Sequence, residues 1–473
     1  MLEVIKKGVK YTYSYVFVQK ILRFAQILIL ARLLTPYDFG LSAIIILVFG
    51  TANTLLQSGI KKAIIYHQLT DVPSLNTAWS FSVIRGVFLF AVLFFMAPYI
   101  SEFFDHNDMI FATQCLAFNF ILSGYTNIGM MVHTIKFKFK KIVIWEFTGF
   151  LLGVLVTIIT AYLFRTYLAI IYGLITEQAT RTISSYYFSS YRPKFNLDID
   201  IFLRLFKYGK WMAADKIVSF ASANQDKVFI GKALGVQILG YYSIANQLGD
   251  FLSSIYSSLS KVFFPVFSKI HKSSNVNPKQ IELYLFFIIA TSIQFVTVIS
   301  FYSEVIVKIL YGEKWAMIGP FLQILIWASL IKIIQNALSP YFNGVGKPKY
   351  VLFINIFRII LLIPSLYILI DYYGIFGAIF ALILVQIMSL LLILYFLYKI
   401  TRFSFIRLIY VTIPLFVSIM VCFIFEAIFI TTSNYVEIAK PILSIVVLFL
   451  ITILFLRATK TRKYINGVFG TGI

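Results

Sequence analysis

A chain of 473 residues that is 60% hydrophobic and only 13% charged, with a mean hydropathy of +0.89, is too apolar for a soluble enzyme. It also has no long polar block that could hold a soluble catalytic domain. The net charge of +22 does not imply nucleic acid, because much of it falls between apolar stretches, where basic residues set orientation and meet anionic lipid.

About fourteen apolar stretches of spanning length begin near residues 11, 38, 79, 109, 142, 167, 208, 236, 281, 316, 350, 374, 408 and 440. Helices are expected, since a spanning segment must satisfy its own backbone hydrogen bonds. The first stretch carries Lys20 and Arg23 and has no small-residue cleavage site, so its retention is expected. Cys115 and Cys422 both fall in apolar stretches, which implies neither a disulfide framework nor a metal site.

The gaps alternate in charge. Basic residues gather before the first stretch (Lys6, Lys7, Lys10) and in alternate gaps: Lys61 and Lys62; Lys136, Lys138, Lys140 and Lys141; Arg192, Lys194, Arg204 and Lys207. The pattern continues through Lys261, Lys269, Lys272 and Lys279, then Lys347 and Lys349, Lys399, Arg402 and Arg407, to Arg457, Lys460, Arg462 and Lys463. The intervening gaps are poorer in bases and often acidic, with Glu102, Asp105, Asp108, Asp371, Glu426 and Glu437. The positive-inside rule then places both termini in the cytoplasm.

An internal repeat is visible. Leu34-Thr-Pro-Tyr-Asp-Phe-Gly40-Leu-Ser-Ala-Ile44 returns as Leu234-Gly-Val-Gln-Ile-Leu-Gly240-Tyr-Tyr-Ser-Ile244. Lys7, Lys10 and Arg32 match Lys207, Lys210 and Lys232 at the same offset. Each copy covers about six helices, an even number, so the copies are parallel and related by an axis along the membrane normal. The expected organisation is an N-terminal lobe over 1–191, a cytoplasmic linker over 192–207, a C-terminal lobe over 208–400, and helices 13 and 14 with a cytoplasmic tail over 401–473.

Ionisable residues inside spans face protein or water, because lipid disfavours them. Lys20 and Arg23 share a face of the first helix. Arg85, Lys332 and Arg358 lie within the third, tenth and eleventh, and Asp215, Lys216, Asp226 and Lys227 within the seventh. One reading is a cationic cavity for an anionic ligand, lined by Lys20, Arg23, Arg85, Lys216, Lys227, Lys332 and Arg358. The other is internal pairing, with Asp215 and Asp226 neutralising their lysine neighbours. The acids Glu146, Glu177, Asp226 and Asp250 are candidates to carry a coupling proton or Na⁺, or to serve as counter-ions.

Some chemistry is missing. Gly344-Val-Gly346-Lys347 lacks the spacing and hydroxyl of a phosphate-binding loop, which argues against an ATP-driven pump. Four scattered histidines suggest no metal site. The short gaps expected outside offer no room for the large outer loop of a membrane glycosyltransferase or ligase. No catalytic residue and no cofactor is expected.

At Ala31-Arg-Leu-Leu-Thr-Pro-Tyr-Asp-Phe-Gly-Leu41 the chain resembles the Wzx-type polysaccharide and oligosaccharide flippases. These belong to the superfamily that also holds the multidrug MATE exporters and the lipid II flippases. Asn224-Gln-Asp226, Ile230-Gly-Lys-Ala-Leu-Gly235 and Leu239-Gly-Tyr-Tyr-Ser243 are similar to the family's seventh and eighth helices. Asn343-Gly-Val-Gly-Lys-Pro348, Asn355 and Gly374-Ile-Phe-Gly-Ala378 resemble its tenth to twelfth.

The resemblance implies an all-α integral membrane protein, with two MATE-like six-helix lobes around a central cavity and two C-terminal helices. It implies transport of an undecaprenyl-pyrophosphate-linked glycan from the inner to the outer leaflet of the bacterial cytoplasmic membrane. Membrane lipids and the polysaccharide polymerase machinery would be its partners. Basic residues on the first helix serve the cavity in this family, and Lys20 and Arg23 are the matching positions. Lysine at 20 departs from the arginine that would grip a phosphate bidentately. The competing reading is an ion-coupled antiporter for cationic drugs, which would want acids rather than bases to dominate the cavity.

Overall fold

The computed structural model describes residues 2–55, 59–272, 278–344, 347 and 349–401, with short stretches within 416–424 and 441–448. The helices expected from near 408 and 440, and the basic residues from Arg457 onward, lie largely outside the described residues, as do Gly346, Pro348 and the Asp215 side chain.

Helices account for nearly all of what is described. They are α1 (Leu2–Leu33), α2 (Pro36–Leu55), α3 (Ile60–Tyr66), α4 (Val72–Phe104), α5 (Met109–Tyr125), α6 (Met130–Ile135) and α7 (Phe139–Phe164). They continue as α8 (Leu168–Phe188), α9 (Ile199–Ala233), α10 (Val236–Lys272), α11 (Pro278–Phe301), α12 (Ser303–Leu310), α13 (Ile318–Gly344) and α14 (Lys349–Thr401). Among the described residues, six helical segments are long and apolar enough to cross a membrane, in α2, α4, α7, α11, α13 and α14.

Local chemistry sets the boundaries. Asp71 caps α4 by accepting from the Ser74 N–H at 2.9 Å, and proline lies in that first turn, where its missing N–H costs nothing. Asp198 accepts from the N–H groups of Asp200 and Ile201, so α9 starts at Ile199, ahead of the expected 208. α14 is two arms. Gly374 adopts φ 56° and ψ −132°, open to glycine without strain. The chain doubles back there, so that the Tyr350 and Phe396 rings meet at 4.5 Å. The two arms match the expected starts at 350 and 374.

The chain forms two compact units, Met1–Gly240 and Tyr241–Ile473. In the first, α4 pairs with α5 and α7 with α8, while α9 packs along α2, α3 and α4. Alternate connections collect at opposite ends of this unit. At one end Tyr37 bonds Asp108, Tyr167 bonds Asp38 and Asp108, and Lys232 bonds Asp105. These contacts join the turns after α1, α4, α7 and α9, the gaps poor in bases.

At the other end the extended residues 189–198 form a strap. Asn76 accepts from the Lys194 N–H, Ser80 from that of Asn196 and Thr77 from that of Asp198. Asn127 donates to the Tyr191 carbonyl. This end carries the lysine-rich gaps.

In the second unit α13 packs against α11, α12 and α14. Its core holds the fully buried Trp315 beside Tyr241 and Tyr311.

The repeat seen in the sequence closes on itself. A Cβ on Gly40 would lie 1.8 Å from the Val236 carbonyl oxygen, and one on Gly240 would lie 1.8 Å from that of Pro36. Adding 200 to Pro36 gives Val236 and adding 200 to Gly40 gives Gly240, so the Pro36–Gly240 and Gly40–Val236 contacts map onto one another with their members exchanged.

Candidate functional site

Two glycines on α7 build a charged cluster in the first unit. A Cβ at Gly149 would meet the Arg181 side chain at 2.4 Å, and one at Gly153 would meet the Glu177 Cβ at 2.7 Å. Small residues four apart let helices approach closely in a membrane. Here they seat α8 against α7 and fix both charged residues. Trp145 adds a hydrogen bond from its indole N–H to the Arg181 carbonyl at 2.7 Å.

Glu177 is 12% exposed and sits between two guanidiniums. Arg181 Nη2 lies 2.7 Å from one carboxylate oxygen and Arg23 Nη2 lies 3.2 Å from the other. Arg23 also donates to Gln26 at 3.0 Å and lies 5.2 Å from the Phe150 ring centroid. Its side chain is still 42% exposed. Glu177 is nine residues from the start of α8 and eleven from its end, so the cluster lies near the middle of that helix.

Glu146 is within electrostatic reach of Arg181, and Lys20 stands one turn before Arg23 on α1. Lys20, Arg23 and Arg181 against Glu146 and Glu177 leave one net positive charge (3 − 2). An accessible guanidinium held on one edge can exchange a hydrogen bond for a phosphate oxygen without leaving its place.

The other candidates divide. Lys227 donates to Asn224 at 3.2 Å on the same helix, and Asp226 beside it is buried. Arg85 lies on α4 and Lys216 on α9. In the second unit Lys332 is bonded to Asp250 at 2.6 Å, and Arg358 donates to Gln335 and Ser389. Glu177 and Asp250 therefore hold counter-ion positions. Arg181 was not singled out from the sequence, although its i+4 spacing from Glu177 was a usable signal. Among the described residues no group of three or more His, Cys, Asp or Glu could hold a metal ion.

Residues 29–320 match the polysaccharide biosynthesis protein family, which is more than half of the chain. The chain belongs to that family. It is 25% identical to the lipopolysaccharide biosynthesis protein WzxC of Escherichia coli (strain K12), over 78% of this chain and 75% of that protein. It is 21% identical to the teichuronic acid biosynthesis protein TuaB of Bacillus subtilis (strain 168), over 70% and 69%.

The fold is similar to that of the lipid II flippase MurJ in its inward closed conformation. The TM-score is 0.78 at 16% identity, covering 95% of this chain and 99% of that one. An inward-facing MATE family multidrug transporter is also similar, with a TM-score of 0.65 at 14% identity, covering 82% and 94%. The chain is thus a multi-pass membrane protein of the polysaccharide biosynthesis family, similar in fold to membrane transporters.

Proposed function

We propose that this protein is a flippase that moves an undecaprenyl-pyrophosphate-linked oligosaccharide from the cytoplasmic to the outer leaflet, by alternating access around a cationic cavity. The observation that carries this is the Arg23–Glu177–Arg181 cluster, net cationic, near mid-helix and partly accessible. A pyrophosphate presents charge that a guanidinium binds well, while the lipid tail stays in the bilayer. Family membership and the MurJ-like fold support the same reading.

The proposal includes about fourteen spans in two pseudo-symmetric lobes with two further helices, in the cytoplasmic membrane, with both termini inside and the polymerase machinery as a neighbour. Lys20, Arg23, Arg85, Lys216, Lys227, Lys332 and Arg358 would serve the anionic headgroup. Glu146 and the buried Asp226 are the candidates for carrying a coupling proton or Na⁺, with Glu177 and Asp250 as counter-ions. The antiporter reading is weaker, since Glu177 and Asp250 are engaged by basic side chains and so are poorly placed to attract a cationic drug.

The test is leaflet-resolved accumulation of the lipid-linked glycan in a strain lacking the gene. Build-up on the cytoplasmic face supports the flippase. A normal distribution, with no redundant transporter in the strain, overturns it.

A further inference from the structure

Arg23, Glu177 and Arg181 are not held equally. Glu177 and Arg181 belong to one helix, one turn apart, and pair at 2.7 Å. Both are pinned from α7: the Gly149 position meets the Arg181 side chain, the Gly153 position meets the Glu177 Cβ, and the Trp145 indole holds the Arg181 carbonyl. Arg23 comes from another helix, α1. Its bond to Glu177 is longer, 3.2 Å, and its side chain is 42% exposed against 26% for Arg181. The Arg23–Glu177 bond is therefore the exchangeable half of the cluster.

Taking Arg23 from Glu177 strands no charge, because the carboxylate keeps Arg181. Gln26 and the Phe150 ring also hold the guanidinium near its seat. The reverse step is equally local: when a ligand leaves, the carboxylate is already positioned to take Arg23 back. A carrier that moves a headgroup outward by alternating access must bring its site back without it. An arginine near the middle of a span is costly on that return unless something neutralises it.

We propose that Glu177 is an internal anion that competes with the substrate for Arg23, neutralising the arginine in the empty carrier and displacing the pyrophosphate at the end of each transfer. The contact ties α1 to α8 when the site is empty and opens when the site is filled. The proposal rests on the flippase reading for the identity of the cargo and for the cycle. The competition between Glu177 and an added anion for Arg23 does not depend on that reading. Its signature is a pair of effects of opposite sign. Removing the carboxylate frees Arg23, so the binding-competent fraction rises and the apparent affinity rises with it. The same change removes what expels the cargo, so transfer slows. A purely structural glutamate would lower both.

The test is calorimetric titration of the purified full chain, in nanodiscs of phosphatidylcholine, with inorganic pyrophosphate. Glu177→Gln should bind about three- to tenfold more tightly than wild type. The gain should vanish in Glu177→Gln/Arg23→Ala. Glu146→Gln removes a negative charge one helical turn from Gly149 without touching the Arg23 bond, and should gain less. Glu177→Asp keeps the charge but shortens the reach towards Arg23, and should shift affinity the same way if the glutamine variant does not fold. Binding by the folded Glu177 variants that is absent, weaker than wild type or equal to it overturns the proposal. So do an equal gain in Glu146→Gln and a gain that survives without Arg23. In liposomes carrying a fluorescent undecaprenyl-pyrophosphate-linked oligosaccharide, Glu177→Gln should redistribute the probe more slowly than wild type. An equal or faster rate overturns the release role. If wild type moves no probe while the pyrophosphate results hold, the flippase reading has failed and the competition has not. If wild type moves the probe while the Glu177 variants bind no more tightly, the competition alone has failed.

Discussion

Gly40 lies so close to the carbonyl of Val236 that a methyl group could not be added without moving one of the two backbones. The reciprocal contact of Gly240 with Pro36 makes this a two-sided seam between the starts of α2 and α10. Gly40→Ala and Gly240→Ala should each lower the melting temperature of the purified protein, by about 1–3 kcal/mol of stability. Because both wedge apart the same seam, the double variant should lose less than the sum of the two. Strict additivity in thermal unfolding would show that the contacts are independent.

Asp38 explains why Thr35-Pro-Tyr-Asp38 precedes the helix. Its carboxylate accepts from the Thr35 N–H and hydroxyl, while the Asp38 N–H donates to the Thr35 hydroxyl, forming a reciprocal cap. The second carboxylate oxygen accepts from the Tyr167 N–H at 3.0 Å and ties α2 to the start of α8. Thr35→Ala should cost about 1 kcal/mol. Asp38→Ala should cost more, about 2–3 kcal/mol, since it also leaves the Tyr167 N–H without this acceptor. Equal losses in a denaturation series would remove the bridging role.

Glu177 holds two arginines at once, so its loss should exceed that of either partner. Glu177→Gln is expected to cost about 1–3 kcal/mol, less than a fully buried pair because Arg23 is 42% exposed. Arg23→Ala should reduce transport sharply with a smaller effect on stability, and Arg23→Lys should recover only part of it, since lysine loses the planar fork. Transport assays on matched amounts of folded protein separate the two effects. If Arg23→Ala melts the protein as severely as Glu177→Gln and leaves specific transport intact, the arginine is structural.

Much of this site was legible and part of it was not. Lys20 and Arg23 stand out because charge inside an apolar stretch is costly, and the alternating lysines correctly anticipated which connections share an end of the first unit. The partner of Arg23 lies 154 residues away, and nothing local announces such a pairing. The closeness of α7 and α8 was written as Gly149 and Gly153, but its meaning appears only once the glycines face Glu177 and Arg181. The helix break at Gly374 could be read from Asp371 and the glycine. The helix α9 begins at Ile199, nine residues ahead of the apolar stretch expected from 208, and Asp198 at its cap is the residue that marks this start.

The pair of Lys232 and Asp105 gives a pH expectation. Their 2.6 Å hydrogen bond and the lysine charge hold the Asp105 carboxyl below the usual carboxylate range. A group lowered on folding contributes fully above its unfolded pKa, about 4, and loses that contribution as pH falls through its lower folded value. The difference in melting temperature between wild type and Asp105→Asn should therefore be constant from about pH 8 to pH 5 and shrink only below about pH 4. A difference that already disappears near neutral pH would contradict this assignment.

The most direct test of the central claim is reconstitution. The purified protein would be placed in liposomes containing a fluorescent undecaprenyl-pyrophosphate-linked oligosaccharide, and a membrane-impermeant quencher would report how much lies in the outer leaflet over time. The account predicts that wild-type protein redistributes the probe across the bilayer and that Arg23→Ala does so much more slowly. An unchanged distribution with folded wild-type protein, under both proton and Na⁺ gradients, would contradict it.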